Sequence, residues 1–329
     1  MKDREGSMKT EQAKTGVSVV VPFLNEEEGI RLFCETVDEY AGGLDFPVEL
    51  VFVNDGSTDR SAEILAEYRF RNIEQAQLIN LSRNFGSHAA IRAGLTKAKH
   101  DICTWIGSDL QEPLDLIPAA MEKLRNGYDV VYIEKESIVV SKANRLFSRI
   151  YSWLMKKFAV SNYSSGGIST IVFNRKIKEY LNRNIENNSS IMLQIMDAGF
   201  REITLPMHFH ERSAGVSKWT LKKKIKLLID SFVAFSFAPI RLVTIIGLAL
   251  FGLGILIGLI TIINKIVNPA VPGGYSTLIC ILSLGFGVTN ISLGIVAEYL
   301  WRAYDAARGR PCFIIADQIP LTDGAEETE

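Results

Sequence analysis

VFVNDGSTDRS, Val51 to Ser61, is an apolar run ending in Asn54-Asp55, then a Gly-Ser turn, then a polar helix start at Thr58-Asp59. The run predicts a buried strand that delivers a carboxylate to its own carboxyl end. In open α/β sheets, ligands bind at that edge. ICTWIGSDLQEP, Ile102 to Pro113, repeats the pattern and ends in Asp109, with Gln111 just beyond. Two acidic strand ends on one sheet edge predict a site for a nucleotide and a cation.

Outward from these stretches, strand and helix patterns alternate. Val17–Val21, Val48–Asn54, Leu78–Leu81, Ile102–Ile106 and Val130–Ile133 read as strands, the first stopped by Pro22. Between them, Glu26–Tyr40, a segment from Asp59, Ser87–Lys97 and Leu114–Arg125 carry helical spacing. Ser169–Phe173 and Glu202–Met207 read as later strands, and Ser141–Phe158 and Asn187–Asp197 as helices. This alternation predicts an α/β fold with a mainly parallel sheet and flanking helices.

The chain has 329 residues, room for one large domain and something more. Its formal net charge of -1 argues against a nucleic-acid partner. Cys34, Cys103, Cys280 and Cys312 lack metal or disulfide spacing and read as reduced thiols of a cytoplasm-facing chain. Residues 1–15 are charged, without the apolar core of a signal peptide, and read as a disordered lead-in. The acidic tail after Ile319 reads as disordered too.

The mean hydropathy of +0.14 is high for a soluble enzyme, and the excess lies near the C-terminal end. Leu242–Ile263 and Thr277–Ala297 carry no charge. Each is long enough for a bilayer core, which takes ~20 apolar residues. The connector is turn-rich, with Pro269, Pro272, Gly273 and Gly274, and carries only Lys265. Lys218–Lys226 and Arg241 precede the pair; Arg302, Arg308 and Arg310 follow it. The positive-inside rule then places both flanks in the cytoplasm, around a transmembrane hairpin. Two buried core helices are the competing reading. Ser231–Pro239 is amphipathic and aromatic, suited to a membrane interface.

Candidate chemistry clusters after the strands. Asn25 could bond a base or ribose, or cap a helix. Asp55 sits at a buried strand end, whereas Asp59 reads more simply as a helix cap. Arg83 and His88 follow the third strand as candidate phosphate or base contacts. Asp109 with Gln111 suits a cation held by one or two carboxylates plus substrate phosphates, and Glu112 reads as a surface acid before Pro113. Arg212 and Lys218 flank a small-residue loop fit for phosphate or lipid headgroups.

Taken in order, VVVPFLNEEEG, VNDGSTD, SRNFGSHAAIRAGL, SDLQEP and RSAGVSK resemble family 2 glycosyltransferases of the GT-A fold. The closer likeness is to the polyprenyl-phosphate glycosyltransferases, and it covers Val17 to about Ile315. The resemblance implies a Rossmann-like GT-A domain over 16–217, juxtamembrane amphipathic helices over 218–239, and two spans within 240–300 (about 242–263 and 277–297). A cytoplasmic tail over 301–329 completes the chain. It implies that Pro22, Asn25, Glu26, Asp55, Arg83, His88, Ser108 and Asp109 bind the nucleotide sugar. It also implies that Asp109 and Gln111 meet Mg²⁺ or Mn²⁺, and that Arg212, Ser217 and Lys218 handle the acceptor phosphate, with Asp109 and Arg212 catalytic. Three departures stand out: the first acid of the family's DxD-like motif is Gly107 here, the basic residues the family often carries after the GYDVV strand are left to Lys135, Lys142 and Arg145, and the stretch around Gly166-Gly167 has no acid.

The expected activity is inverting transfer of a sugar from a nucleotide-diphosphate sugar, UDP-linked ahead of GDP-linked, to undecaprenyl phosphate in a bacterial inner membrane. The spans leave room for a homo-oligomer. Transfer to another membrane glycan, and a catalytically weak nucleotide-sugar-binding scaffold, are the competing readings.

Overall fold

Residues 15–136, 153, 156–157, 168–186, 190–209, 238–267 and 274–322 are described in the computed structural model. The chain divides into one unit of residues 1–152, 162–220 and 311–329 and a second of residues 153–161 and 221–310.

The first unit is built on an eight-stranded sheet. In chain order it runs β1 (Val17–Phe23), α1 (Ile30–Ala41), β2 (Val48–Asn54), α2 (Ser61–Glu67), β3 (Gln75–Leu81), α3 (Ser87–Lys97), β4 (Ile102–Trp105) and α4 (Leu116–Arg125). Then come β5 (Val130–Lys135), β6 (Ile168–Phe173), α5 (Arg175–Arg183), α6 (Ile191–Asp197), β7 (Glu202–Met207) and, from the C-terminal end, β8 (Ile315–Pro320). The strand order is β7-β5-β6-β4-β1-β2-β3-β8.

The four central strands are parallel, as the alternating pattern predicts. Every residue of β2 and of β4 is buried, the sign of strands covered on both faces. On one face α1, α2 and α4 cover Val19, Val21 and Phe52, with Phe33 set edge-on to Phe52 at 6.0 Å between centroids. On the other, α3 lies against β1 and β2.

Six of the eight strands run in one sense, in line with the mainly parallel sheet expected, and two run against it, so the sheet is mixed. β6 runs antiparallel to both β4 and β5, and β8 antiparallel to β3. A parallel neighbour needs a long crossover. β8 instead enters from a distant part of the chain and meets the β3 edge in the opposite sense.

β8 also corrects the reading of the tail. Leu321 is buried and its N–H donates to Ala76 O at 2.8 Å, while Thr322 Oγ1 accepts from Ala76 N at 3.2 Å. A polar chain crosses the sheet to this strand. Ser18 Oγ donates to Glu49, Gln77 Nε2 donates to Glu49 Oε1 at 3.1 Å, and Gln318 Nε2 donates to Gln77 Oε1 at 2.7 Å.

β1 does not stop at Pro22 but runs on to Phe23. Val20 O accepts from Ile106 on the β4 side, and Phe23 O accepts from Asp55 on the β2 side. Successive residues face opposite neighbours, so Pro22 faces the β4 side. That strand's pairing ends at Val20, and no ladder hydrogen bond is lost. α5 was not anticipated: its sequence is strongly polar, and it buries only Ile177 and Leu181, one turn apart.

The second unit contains α7 (Ala238–Val267, 30 residues) and α8 (Tyr275–Ala307, 33 residues), which pack on each other. Apolar side chains such as Leu248, Leu256, Leu293 and Leu300 are exposed along them. Over the described side chains, no helix is long and apolar enough to cross a membrane. Of the expected helix Ser141–Phe158, only Trp153, Lys156 and Lys157 are described, all three helical.

Candidate active site

The loops at the carboxyl ends of β1, β2 and β3 interlock. Asn25 adopts φ 52°, a left-handed conformation that asparagine tolerates better than most residues. Its Oδ1 accepts from Thr58 N at 2.8 Å, and its own N–H donates to Ser57 Oγ at 3.0 Å. Glu26 N donates to Ser61 Oγ at 2.8 Å, and Glu27 N to Asp59 Oδ2 at 3.1 Å. Asn25 therefore fastens the β1–α1 loop to the β2–α2 turn rather than capping α1. Asp59 accepts from Ser61 N, the first amide of α2, at 3.1 Å, although the N-cap position itself is Arg60. Burial acts to raise its carboxyl, but hydrogen bonds from Ser61 and Glu27 outweigh it and hold Asp59 below the usual range.

Asp55 is 4% exposed. It accepts from Phe85 N at 2.7 Å and, through Oδ2, from Gly86 N at 3.0 Å. Burial pushes its carboxyl up, the two amides and Arg83 pull it back, and the net direction is upward. Next to it, Gly56 has φ 74°, and a Cβ there would stand 2.7 Å from Asn84 N. Only glycine fits this crossing of the β2 and β3 loops. Asn54 extends the contact sideways: its Nδ2 donates to Asn80 Oδ1 at 2.9 Å, and Asn80 Nδ2 to Asp317 Oδ1 at 2.6 Å.

Arg83 is exposed, with its guanidinium 4.0 Å from the centroid of the Phe85 ring. His88 lies in the first turn of α3. Its Nδ1 is buried without a partner among the described residues, and burial, then the Arg92 charge, push the imidazole down to about 4. Arg92 was not singled out in the sequence. It is 3% exposed, donates through Nη2 to Gln194 Oε1 at 2.7 Å, and its Nε and Nη1 find no partner among the described residues.

After β4, Ser108 is buried and Asp109 partly exposed. Leu110 adopts φ 55°, an outlier for a bulky residue and the kind of backbone strain that gathers at functional sites. Gln111 N lies 3.4 Å from Asp109 Oδ1. Glu112 is not the surface acid its place before Pro113 suggests. Its Oε2 accepts from Gly107 N at 3.3 Å and its Oε1 lies 3.4 Å from Ser169 Oγ. Burial, then the nearby Asp109 charge, push its carboxyl up. The neighbouring motif residues hid this, because Gln111 and Pro113 make Glu112 look like loop filling.

Among the described residues, no group of three His, Cys, Asp or Glu side chains could hold a metal. A site completed by substrate phosphates needs fewer, since one or two carboxylates suffice for Mg²⁺. The turn holding Asp109 and Gln111 supplies such a donor set, and carboxylate oxygens of Asp109 and Glu112 border the position a Cβ on Gly107 would take. A cavity of about 860 Å³ reaches the same turn, lined by residues that include Tyr40, Leu110, Glu112, Glu136, Met207 and His208. Arg212, Ser217 and Lys218 lie outside the described residues, as do Gly166 and Gly167.

A mixed α/β sheet whose parallel strands β2 and β4 lead into Asp55 and Asp109 at one edge fits a GT-A-like glycosyltransferase domain. Residues 18–203 match the family model described as Glycosyl transferase family 2, and the chain belongs to that family. It is 33% identical over 303 residues to an uncharacterized glycosyltransferase, YkcC, of Bacillus subtilis (strain 168), covering 91% of this chain and 92% of the relative. It is 29% identical to an undecaprenyl-phosphate 4-deoxy-4-formamido-L-arabinose transferase of Yersinia enterocolitica, covering 95% of each. Among solved structures, the mannosyltransferase PcManGT from Pyrobaculum calidifontis, in complex with GDP-Man and Mn²⁺, aligns with a TM-score of 0.42 at 17% identity, over 89% of this chain and 79% of that one. By family, then, the protein is a glycosyltransferase.

Proposed function

We propose that this protein is a membrane-bound inverting glycosyltransferase that moves a sugar from a nucleotide-diphosphate sugar to a polyprenyl phosphate on the cytoplasmic face. The observation that carries the reading is the extent of the likeness to the Yersinia transferase, 95% of the chain, far beyond the domain that ends at residue 203. The acceptor head, RSAGVSK, and the uncharged stretches of α7 and α8 belong to that extra length.

A polyprenyl phosphate is a phosphate monoester with a second pKa of ~6, so it is mostly dianionic at neutral pH. It attacks without a general base, unlike a sugar hydroxyl. The chain's work is then positioning and charge stabilisation. Pro22, Asn25, Glu26, Asp55, Arg83, His88 and Ser108 shape the donor site, and Arg212, Ser217 and Lys218 hold the acceptor phosphate. Asp109 and Gln111 stand at the leaving diphosphate. A bound Mg²⁺ or Mn²⁺ would supply neutralisation of that diphosphate. UDP is the preferred base carrier, with GDP the alternative.

The hairpin of α7 and α8 serves as the membrane anchor in this reading. A helix of 30 residues spans about 45 Å, against ~30 Å of hydrocarbon. Its uncharged core and the basic flanks support a bacterial inner-membrane, multi-pass location with the first unit in the cytoplasm. Gly107 favours a second reading, a catalytically weak nucleotide-sugar-binding scaffold.

The test is transfer of labelled sugar to undecaprenyl phosphate by membranes containing the protein, over a panel of UDP- and GDP-sugars with Mg²⁺, Mn²⁺ or EDTA. A labelled, mild-acid-labile lipid from one donor is the expected result. No labelled lipid from any donor, with folded protein, would overturn the lipid-phosphate reading in favour of the scaffold.

A further inference from the structure

The acid that family members carry first in the DxD-like motif is Gly107 here. The space that such a side chain would enter is not empty of charge. A Cβ built on Gly107 would stand 3.0 Å from Asp109 Oδ1 and 3.4 Å from Glu112 Oε2. Two carboxylate oxygens thus converge on the point where the missing side chain would begin. Glu112 reaches it by folding back across the turn, held by Gly107 N at 3.3 Å, with Ser169 Oγ of β6 beside its other oxygen at 3.4 Å. The left-handed backbone at Leu110 makes this return possible. Glu112 also lines the cavity beside the turn, which gives a cation an approach to its carboxylate.

We propose that Glu112 takes the place of the acid missing at position 107, so that Asp109 and Glu112 together hold the divalent cation of the sugar-diphosphate site. The inference rests on the glycosyltransferase reading of this site. Two carboxylates this close repel each other in the absence of a cation or a proton between them. Hard divalent ions are the ligands that oxygen pairs of this kind select, with substrate phosphates and water completing the shell. Gly107 is then a compensated change, because a longer side chain from five residues on supplies the charge. An aspartate at 107 alongside Glu112 would crowd three carboxylates into one turn.

The experiment measures Mn²⁺ binding by the full-length chain in detergent, from the electron paramagnetic resonance signal of free Mn²⁺, with UDP or GDP present. E112Q should weaken binding by at least ~10-fold, the lower end of the loss seen even for residues one layer outside a metal's ligands. The double variant G107D/E112Q, which returns a carboxylate from the family's own position, should recover most of it. Mn²⁺ affinity in E112Q equal to the wild type's would overturn the proposal. Should E112Q fail to fold, as judged by circular dichroism, Glu112→Asp decides. Its shortened carboxylate should still lose Mn²⁺ affinity, and an unchanged affinity would overturn the idea. Sugar transfer is scored in the same preparations. Transfer with Mn²⁺ affinity indifferent to Glu112 overturns this inference alone; Glu112-dependent Mn²⁺ binding with no transfer to lipid overturns the acceptor reading alone.

Discussion

Asp55 Oδ1 accepts a 2.7 Å hydrogen bond from the backbone N–H of Phe85, joining the carboxyl end of β2 to the loop after β3. A second amide, Gly86 N, reaches Oδ2 at 3.0 Å. The carboxylate thus sets the shape of the loop carrying Arg83 and His88. Asp55→Ala leaves two shielded N–H groups without acceptors and should cost about 1–3 kcal/mol of stability. The same variant should weaken UDP binding on the order of tenfold, which needs only ~1.4 kcal/mol. Asp55→Asn should recover part of both, since its amide oxygen can accept one of the two bonds. Thermal unfolding and calorimetric titration with UDP measure the two effects; an unaltered UDP affinity in Asp55→Ala would remove the residue from the donor site.

Asp109→Ala should lower sugar transfer by at least ~100-fold, the loss typical of removing one charge-stabilising group. The unfolding transition should stay in place, because Asp109 is partly exposed and sits against the Glu112 charge. Initial rates with labelled donor give the readout. Wild-type turnover by the folded variant would strike Asp109 from the catalytic set.

His88 predicts a pH signature. Burial, then Arg92, depress its imidazole from 6.5 to about 4. Between those values the unfolded chain binds more protons than the folded one, so stability rises with pH through that window. The contribution is fully present above about 6.5 and is lost as pH falls toward about 4, up to about 3 kcal/mol in all. His88→Gln should flatten the fall in unfolding midpoint between pH 7 and pH 5 relative to wild type. Parallel curves for the two proteins would show that His88 is not the group responsible.

The tail strand makes a separate prediction. Removing residues 312–329 deletes β8, exposes the β3 edge, strips Gln318 from Gln77 and Asp317 from Asn80, and withdraws the buried Leu321. Losing one buried leucine costs about 1.5–3 kcal/mol by itself. The truncated protein should unfold at a clearly lower temperature and be cut faster by protease within the first unit. An unchanged midpoint would mean that β8 adds nothing to the sheet's stability.

Much of this fold is legible from local pattern. β2, α3 and β7 lie where the strand and helix signals put them, Val48–Asn54, Ser87–Lys97 and Glu202–Met207. A buried strand needs a continuous apolar run, and an Ala-rich helix flanked by Gly86 announces both its identity and its start. α5 escaped because its interior face is only Ile177 and Leu181 within a charged segment. β8, IADQIP, has no apolar alternation, and its residues other than Ile315 are exposed. Such a strand exists because β3 offers an unpaired edge, which no property of the six residues records.

The site divides along the same line. Asp55 and Asp109 could be placed from sequence, since each closes an apolar run and a strand's direction decides which sheet edge its last residue meets. Chain order likewise set the alternation of β and α and the uncharged stretches of α7 and α8. Partners across loops could not be placed this way. That Asn25 would fasten Thr58, that Asp55 would hold Phe85 and Gly86, and that Glu112 would turn back toward Gly107 depend on backbone φ values and on which loops meet in space. Local pattern reports burial and periodicity because these act on neighbouring residues. Hydrogen bonds between residues 30 or more positions apart, such as Asp55 to Phe85, form only once the packed sheet has brought their loops together.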